Sequence, residues 1–438
     1  METTTPIAPP RAGVSPAHAR HHAAPPRRAT ALYILVLLAL VSLLGYYDRF
    51  LIAIVTQAIK SDMHVSDARI SLLSGLGFAA VYSLLAVPIA RLSDGGRRVR
   101  VLSLSLTVWS AMTALCGVAP SFGVLLLARL GVGVGEAGGN PTIHALVSDT
   151  FERRWRGTAL SVVVVVGGCG YMAASFIGGW IVDHWGWRMA FIAGAAPGPL
   201  LALLLWLTVK EPHAAAPRVQ ESLWRATRVL LARRAFLLLC LGVAVCSVGS
   251  FAVLSWVPAF LMRHYHLTAA RVGATYGLTM GLATIAALLF GGVLVDLLAR
   301  RDMRWSLRLP ALSFALASPL TLAFLYTDSL DIALAISLPM TFFAGLSTSP
   351  SYALIQSLAG SRYRATASAL FLLFTYLIGM GVGPSLAGVL SDFFAASAGP
   401  DALRHALAVV SLTYIAGALL IASGSRTLLR ELARAEHD

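Results

Sequence analysis

Four charged residues lie deep inside apolar stretches of this chain: the neighbours Asp48 and Arg49, and farther along Arg129 and Glu136. A charge within a bilayer is costly, so such residues are functional candidates by default. Two acids and two bases at similar depth could form a proton-coupled switch. Asp48 or Glu136 would be ionised while paired with Arg49 or Arg129. When the partner leaves, burial favours the neutral form and the acid takes a proton. An anionic solute competing for an arginine would act in the same way. The plain alternative is a permanent buried salt bridge. Such pairs are weak contributors to net stability, which makes them a poor reason to carry four charges. Which of the two acids holds the proton is open at this level.

The elements that must position these residues follow from composition. Of 438 residues, 57% are hydrophobic and 12% charged, where a soluble globular protein carries about 25% charged residues. A chain so poor in charge cannot cover a water-facing surface, and the bilayer is its solvent. A spanning helix needs about 20 mostly apolar residues. The pattern predicts an all-α membrane protein with helices over 31–57, 68–91, 101–119, 122–148, 157–182, 187–209, 235–262, 271–297, 307–327, 331–358, 365–392 and 402–424. Residues 1–30 read as a disordered cytoplasmic tail without the apolar core of a signal peptide. The halves 31–209 and 235–424 are joined by a cytoplasmic linker over 210–234, and 425–438 is a second tail. At 1.5 Å per residue, Asp48 lies about 13 Å below the outer boundary, Arg129 about 10 Å, and Glu136 about 10 Å deeper again. Arg129 and Glu136 are nearly two turns apart and share a helix face.

The formal charge of +14 does not mark a nucleic-acid surface, because the basic residues fall in gaps between apolar runs and not on one soluble face. With the N-terminus inside, most of them gather on the cytoplasmic side. Lys60, Arg69, Arg188, Arg263, Arg271 and Arg404 are those left outside. This is the positive-inside bias, and it predicts both termini in the cytoplasm. Lys60 and Lys210 are the only lysines among many arginines, which suggests a GC-rich bacterial source and an inner membrane. Cys116, Cys169, Cys240 and Cys246 lie in apolar runs and form no CxxC pair. His64, His264 and His266 near the outer loops read as surface histidines. The glycine-rich run around Glu136 lies inside a spanning helix, so it is not a dinucleotide loop. No Walker loop, metal-ligand set or nucleophile constellation stands out; no cofactor and no enzyme activity are predicted.

The chain also repeats itself. Ala90-x-Leu92-x-Asp94 followed by arginines recurs as Gly292-x-Leu294-x-Asp296, 202 positions later. Arg156-Gly157-Thr158-Ala159 recurs as Arg364-Ala365-Thr366-Ala367, 208 positions later. Gly170, Ala174, Ser175, Gly178 and Gly179 recur as Gly379, Gly383, Pro384, Ala387 and Gly388, the first pair 209 positions apart. Small residues at this spacing let helix backbones approach closely. The two six-helix halves are parallel repeats of the kind secondary transporters use.

On these residues the chain resembles the major facilitator superfamily over its whole length after the tail. Asp94 with Arg97 and Arg98 is similar to that superfamily's cytoplasmic gating motif, although Ala90 replaces a glycine and the Gly95-Gly96 loop is spaced differently. Gly379 to Gly388 is similar to its glycine-proline motif. Within the superfamily, Tyr47-Asp48-Arg49, Leu73-Ser74-Gly75 and the run Ala128-Arg129-Leu130-Gly131-Val132-Gly133-Val134-Gly135-Glu136-Ala137-Gly138 resemble the Spinster-like transporters. The resemblance implies a monomeric carrier that handles lysolipid-like molecules such as sphingosine phosphate. It also implies that the first-helix Asp-Arg and the fourth-helix Glu serve coupling or solute handling.

The predicted activity is proton-coupled secondary transport of an amphipathic or organic-anion solute by rocking of two domains. Uptake of a small organic acid by proton symport is the alternative, and a membrane sensor or scaffold is the reading from another class. Asp94 and Asp296, at inner helix ends, are predicted gate residues that pair with Arg156 and Arg364 when the inner side is closed. The second half has no mid-membrane charge. Its candidate cavity wall is Ser250, Ser255, Trp256, Tyr276, Tyr352, Gln356 and Tyr376.

Overall fold

A computed structural model describes residues 28–94, 96–211 and 223–437. The apolar runs are helical because a bilayer offers backbone polar groups no partner outside the chain. Ten described helical stretches are long and apolar enough to cross a membrane. Two of them, Arg154–Thr208 and Thr366–Arg426, run for 55 and 61 residues. As single rods they would exceed about 80 Å, far beyond an apolar core of about 30 Å. Each doubles back at a glycine, Gly186 (φ 82°) and Gly399 (φ 52°), in a left-handed conformation that a residue without Cβ adopts cheaply. The described residues therefore make twelve crossings, six on each side of the linker. Most run past their predicted ends: the first is Arg28–Met63 against 31–57.

Several crossings are irregular, and four of the irregularities fall in repeat-related pairs. The second is broken between Asp67–Ser71 and Leu76–Asp94. Its repeat, the eighth, carries a π-helical turn at Gly273–Gly277. The fifth and eleventh carry π-helical turns at Ala174–Gly178 and Thr375–Met380. Such turns mark positions where a helix is bent for function. Here they lie where the halves meet: the fifth crossing packs on the eighth, and the second on the eleventh. The fourth crossing is also interrupted, between Phe122–Glu136 and Gly139–Thr150, directly after Glu136.

The halves are fastened at one end of the bundle. Among the described residues, most of the hydrogen bonds and ion pairs that cross between them lie toward the end opposite the termini, while Tyr376 meets Arg49 midway along the bundle. The C-terminal stretch, predicted as a tail, instead forms a helix, Leu428–His437. Buried Glu431 in it accepts from the Ala235 amide with both oxygens, at 3.1 and 2.9 Å, and so caps the seventh crossing. Acidic groups at a helix N-terminus satisfy its free amides. In the linker, Leu223–Ala232 is helical; residues 212–222, like residues 1–27 of the predicted N-terminal tail, lie outside the described ones.

Candidate functional site: a charged centre and a seal

Consecutive helix residues point about 100° apart, so Asp48 and Arg49 face different neighbours. Arg49 reaches the fourth crossing. Its Nε and Nη2 donate to one oxygen of Glu136, Oε2, at 3.1 and 2.6 Å. The other oxygen, Oε1, is buried without a partner. The guanidinium lies 4.9 Å from the Tyr82 ring centroid and 6.0 Å from those of Tyr46 and Phe78, a cation–π setting that holds the charge without neutralising it. Tyr376 of the second half meets Tyr82 at 5.8 Å and Phe251 at 6.1 Å. Aromatic groups from both halves thus surround one arginine.

Asp48 turns into the first half. The Thr113 hydroxyl donates to its Oδ2 at 3.3 Å, while Oδ1 is buried and unpartnered. Arg129 is close enough to act on Asp48 electrostatically, yet it forms no ion pair with it. Its Nε donates instead to the Leu73 carbonyl at the break in the second crossing, at 3.3 Å, and its Nη1 has no partner. The Phe78 ring lies between the two guanidiniums, 5.2 Å from that of Arg129. The four predicted charges therefore share one region but form one ion pair, Arg49–Glu136, and not a mutually neutralised quartet.

Two cavities meet at Arg49. One is small, lies between the halves and is lined by Arg49, Phe50, Ser74, Phe251, Ser255 and Met380 among others. The second, also small, lies within the first half and touches both Arg49 and Glu136. Of the predicted cavity wall, Ser255 lines the first of these and Tyr376 stands beside it. Trp256 is buried core: its Nε1 donates to the Pro384 carbonyl at 2.9 Å, locking the seventh crossing to the eleventh. Tyr276 is also core, packed near Phe324, with its hydroxyl unpartnered. Ser250 bonds back to the Cys246 carbonyl, and Tyr352 packs on Phe371. Gln356 is half-buried in the tenth crossing. A large apolar ring in a bundle reaches its lowest energy packed between helices, which is where Trp256 and Tyr276 sit.

The predicted inner gate is not assembled. Arg98 pairs with Asp149 of its own half. Arg156 donates to the Phe151 carbonyl at 2.9 Å. Arg97 and Arg364 are exposed, and Asp296 is exposed without a partner among the described residues. Asp94 ends its helix, and its side chain lies outside the described ones. Pairing these groups across the halves requires the end that carries the termini to close, whereas here the opposite end is fastened.

That fastening uses residues the sequence reading passed over. Arg263 grips buried Asp67 with both terminal nitrogens, at 2.7 and 2.8 Å, and donates to Gln57 at 2.7 Å. Lys60 and Ser391 complete the Asp67 site at 2.6 and 2.7 Å. Asp392 accepts from the amides of Asp67 and Ala68 at 3.0 and 2.9 Å. Asp183 does the same for Ala269 and Ala270 at 3.1 and 2.9 Å. Each aspartate lies in the last turns of a crossing in one half and caps a helix N-terminus in the other. Asp183 and Asp392 are 209 positions apart, and the capping Ser66 and Thr268 are 202 apart, the same offsets as the repeat. Extending the glycine ladder four residues, from Gly179 to Asp183 and from Gly388 to Asp392, was the available signal.

A bundle of twelve crossings in two repeated halves, sealed at one end around a central arginine, defines a secondary transporter and not an enzyme. The Major Facilitator Superfamily model matches residues 38–384, and the chain belongs to that superfamily. Within it the chain is Spinster-like. It is 27% identical to a bacterial homologue of the human lysosomal transporter Spinster, solved inward-facing and unoccupied, with a TM-score of 0.84 over 92% of this chain and 99% of that one. It is 36% identical to an MFS-type efflux pump of Mycolicibacterium smegmatis, over 94% of this chain and 95% of that protein. It is 28% identical to the mouse sphingosine-1-phosphate transporter SPNS2, over 52% of this chain and 43% of that protein.

Proposed function

We propose that this chain is a proton-coupled secondary transporter of an amphipathic organic anion, in which Glu136 exchanges the proton and Arg49 meets the solute. The observation that carries this reading is the Arg49–Glu136 pair. The arginine is tied to a single carboxylate oxygen and borders the cavity between the halves. A proton on Glu136 releases Arg49. An anion that takes Arg49 leaves Glu136 without its counter-charge, and an unpaired buried carboxylate is costly, so the acid binds a proton. Proton and anion then bind together, and each promotes the other by the same factor. Phe50, Phe251 and Met380 supply the apolar wall for the rest of an amphiphile. With the termini in the cytoplasm, as the distribution of arginine supports, this is the inward-facing state of a monomer in a bacterial plasma membrane.

The efflux pump of M. smegmatis favours a second reading, in which a solute presenting a cation displaces the proton from Glu136. Exchange then replaces co-transport, and export follows from an inward proton gradient. Proteoliposomes with an entrapped pH dye distinguish the two. Sphingosine phosphate and other lysolipid-like amphiphiles, small organic acids and cationic amphiphiles are each applied to parent protein and Glu136→Gln. Protons that move with an amphipathic anion, and stop in the variant, support the main reading. Protons that move against a cationic solute support exchange. Flux with small acids alone discards the amphiphile. Equal proton flux in parent and variant removes Glu136 from coupling.

A further inference from the structure

The two cavities at Arg49 differ in what they reach. The cavity between the halves touches Arg49 but not Glu136. The one inside the first half touches Glu136 and continues along Ser42, Gly45, Tyr46, Trp109, Asn140 and Ile143. From Arg49 back to Val41 the first crossing descends about 12 Å, and from Glu136 to Ile143 the fourth descends about 10 Å, both toward the end that carries the termini. The cavity therefore leads from the ion pair toward that end without entering the space between the halves. Two buried polar atoms lie on its lining residues without partners, Glu136 Oε1 and Trp109 Nε1. Buried polar groups are satisfied by protein or by ordered water, and a polar cavity with several partners can hold water. Ser42, Tyr46 and Asn140 are such partners. Gly45 opens the middle of it, since a Cβ there would meet nothing within 4 Å.

We infer that Glu136 exchanges its proton through this hydrated cavity inside the first half, while solute reaches Arg49 through the separate cavity between the halves. The inference rests on the proton-coupled reading. The ionisable groups around Glu136 are Asp48, Arg49 and Tyr46 of the first crossing and Tyr82 of the second. Arg129 of its own crossing acts on Asp48, and Tyr376 of the eleventh acts on Arg49. Of these, only Tyr46 and Arg49 line the cavity with Glu136. Separate access explains how one ion pair answers to two ligands: each partner of the pair has its own entrance.

The test is the rate at which a small water-soluble carbodiimide modifies Glu136 at mildly acidic pH, followed by peptide mass spectrometry that resolves it from Asp48. Gly45→Leu fills the inner cavity where a side chain meets open space, and Ser255→Trp fills the cavity between the halves. The expected result is a fall of at least tenfold in Gly45→Leu and a change under twofold in Ser255→Trp. The reverse pattern, or equal losses, overturns the inference. If Arg49 shields Glu136 from the reagent in every protein, labelling of Asn140→Cys by a charged methanethiosulfonate decides, in a Cys169→Ser background. Labelling at least tenfold faster than at Leu44→Cys, and slowed tenfold by added Gly45→Leu, upholds the route. Labelling no faster than at Leu44→Cys overturns it. Failure of the proton-coupled reading shows elsewhere, as pH-driven flux that survives Glu136→Gln.

Discussion

Asp48 and Glu136 are both buried acids beside an arginine, yet their surroundings assign them different work. Glu136 is tied to Arg49 and opens on a cavity. Asp48 bonds to Thr113 inside the first half and lines neither cavity. Glu136→Gln should therefore lower pH-driven flux by at least a hundredfold with the fold intact, checked by elution profile and thermal unfolding. Asp48→Asn keeps an oxygen for Thr113 and should hold flux within about tenfold of the parent in the same pH-dye assay. A larger loss in Asp48→Asn than in Glu136→Gln would reverse the assignment. Arg49→Lys retains the charge but not the planar guanidinium that donates from two nitrogens. Solute affinity should drop at least tenfold, read as a higher half-saturating concentration.

At the scale of elements, the close approach of helices at the seal depends on two glycines related by the repeat. A Cβ on Gly388 would sit 2.5 Å from the Asp67 carbonyl, and one on Gly179 would sit 2.5 Å from that of Ala269. Backbone cannot yield as a side-chain tip can, so Gly388→Val should push the second and eleventh crossings apart. The expected outcome is faster thiol labelling of Ser391→Cys, a buried seal residue, in Gly388→Val than in the parent background. Unchanged labelling would mean that the seal tolerates the added bulk. The breaks in the second and fourth crossings belong to the same scale. Arg129 bonds at the first and Glu136 ends the helix at the second, so each mid-membrane charge of the fourth crossing is attached to a point where a helix is already interrupted.

At the scale of the molecule, the proposed transport requires a second arrangement of the halves, and in this one charge pairing fastens the end opposite the termini. Asp67 has four side-chain donor atoms from both halves, two of them on Arg263 across the seal. Arg263→Gln removes donors that reach Asp67 across the halves while Lys60 stays paired with it, and should shift the population toward the state closed at the other end. Spin labels at Arg69→Cys and Arg271→Cys, exposed positions in opposite halves at the sealed end, should then report a longer separation. No change in that distance would place the balance elsewhere, most simply in the paired caps Asp183 and Asp392.

Much of this molecule is legible in one dimension. Apolar runs of membrane length, arginines concentrated in alternate gaps and patterns recurring at offsets near 205 together require twelve crossings in two halves, because bilayer thickness and backbone hydrogen bonding leave no other solution. The rarity of buried charge likewise marks Asp48, Arg49, Arg129 and Glu136 before any coordinates. Partnership is a different matter. Helix periodicity places Asp48 beside Arg49 but cannot say which crossing each will face. Only packing pairs Arg49 with Glu136, leaves Asp48 to Thr113, and turns Trp256 and Tyr276 into core. The seal between the halves was hidden for a related reason. Asp67, Asp183, Arg263 and Asp392 look like ordinary charges at helix ends, and they gain meaning when a carboxylate of one half reaches a helix N-terminus of the other. Contacts between residues hundreds of positions apart depend on how the halves tilt, and that tilt is a property of the folded bundle, held here by a few charges at one end.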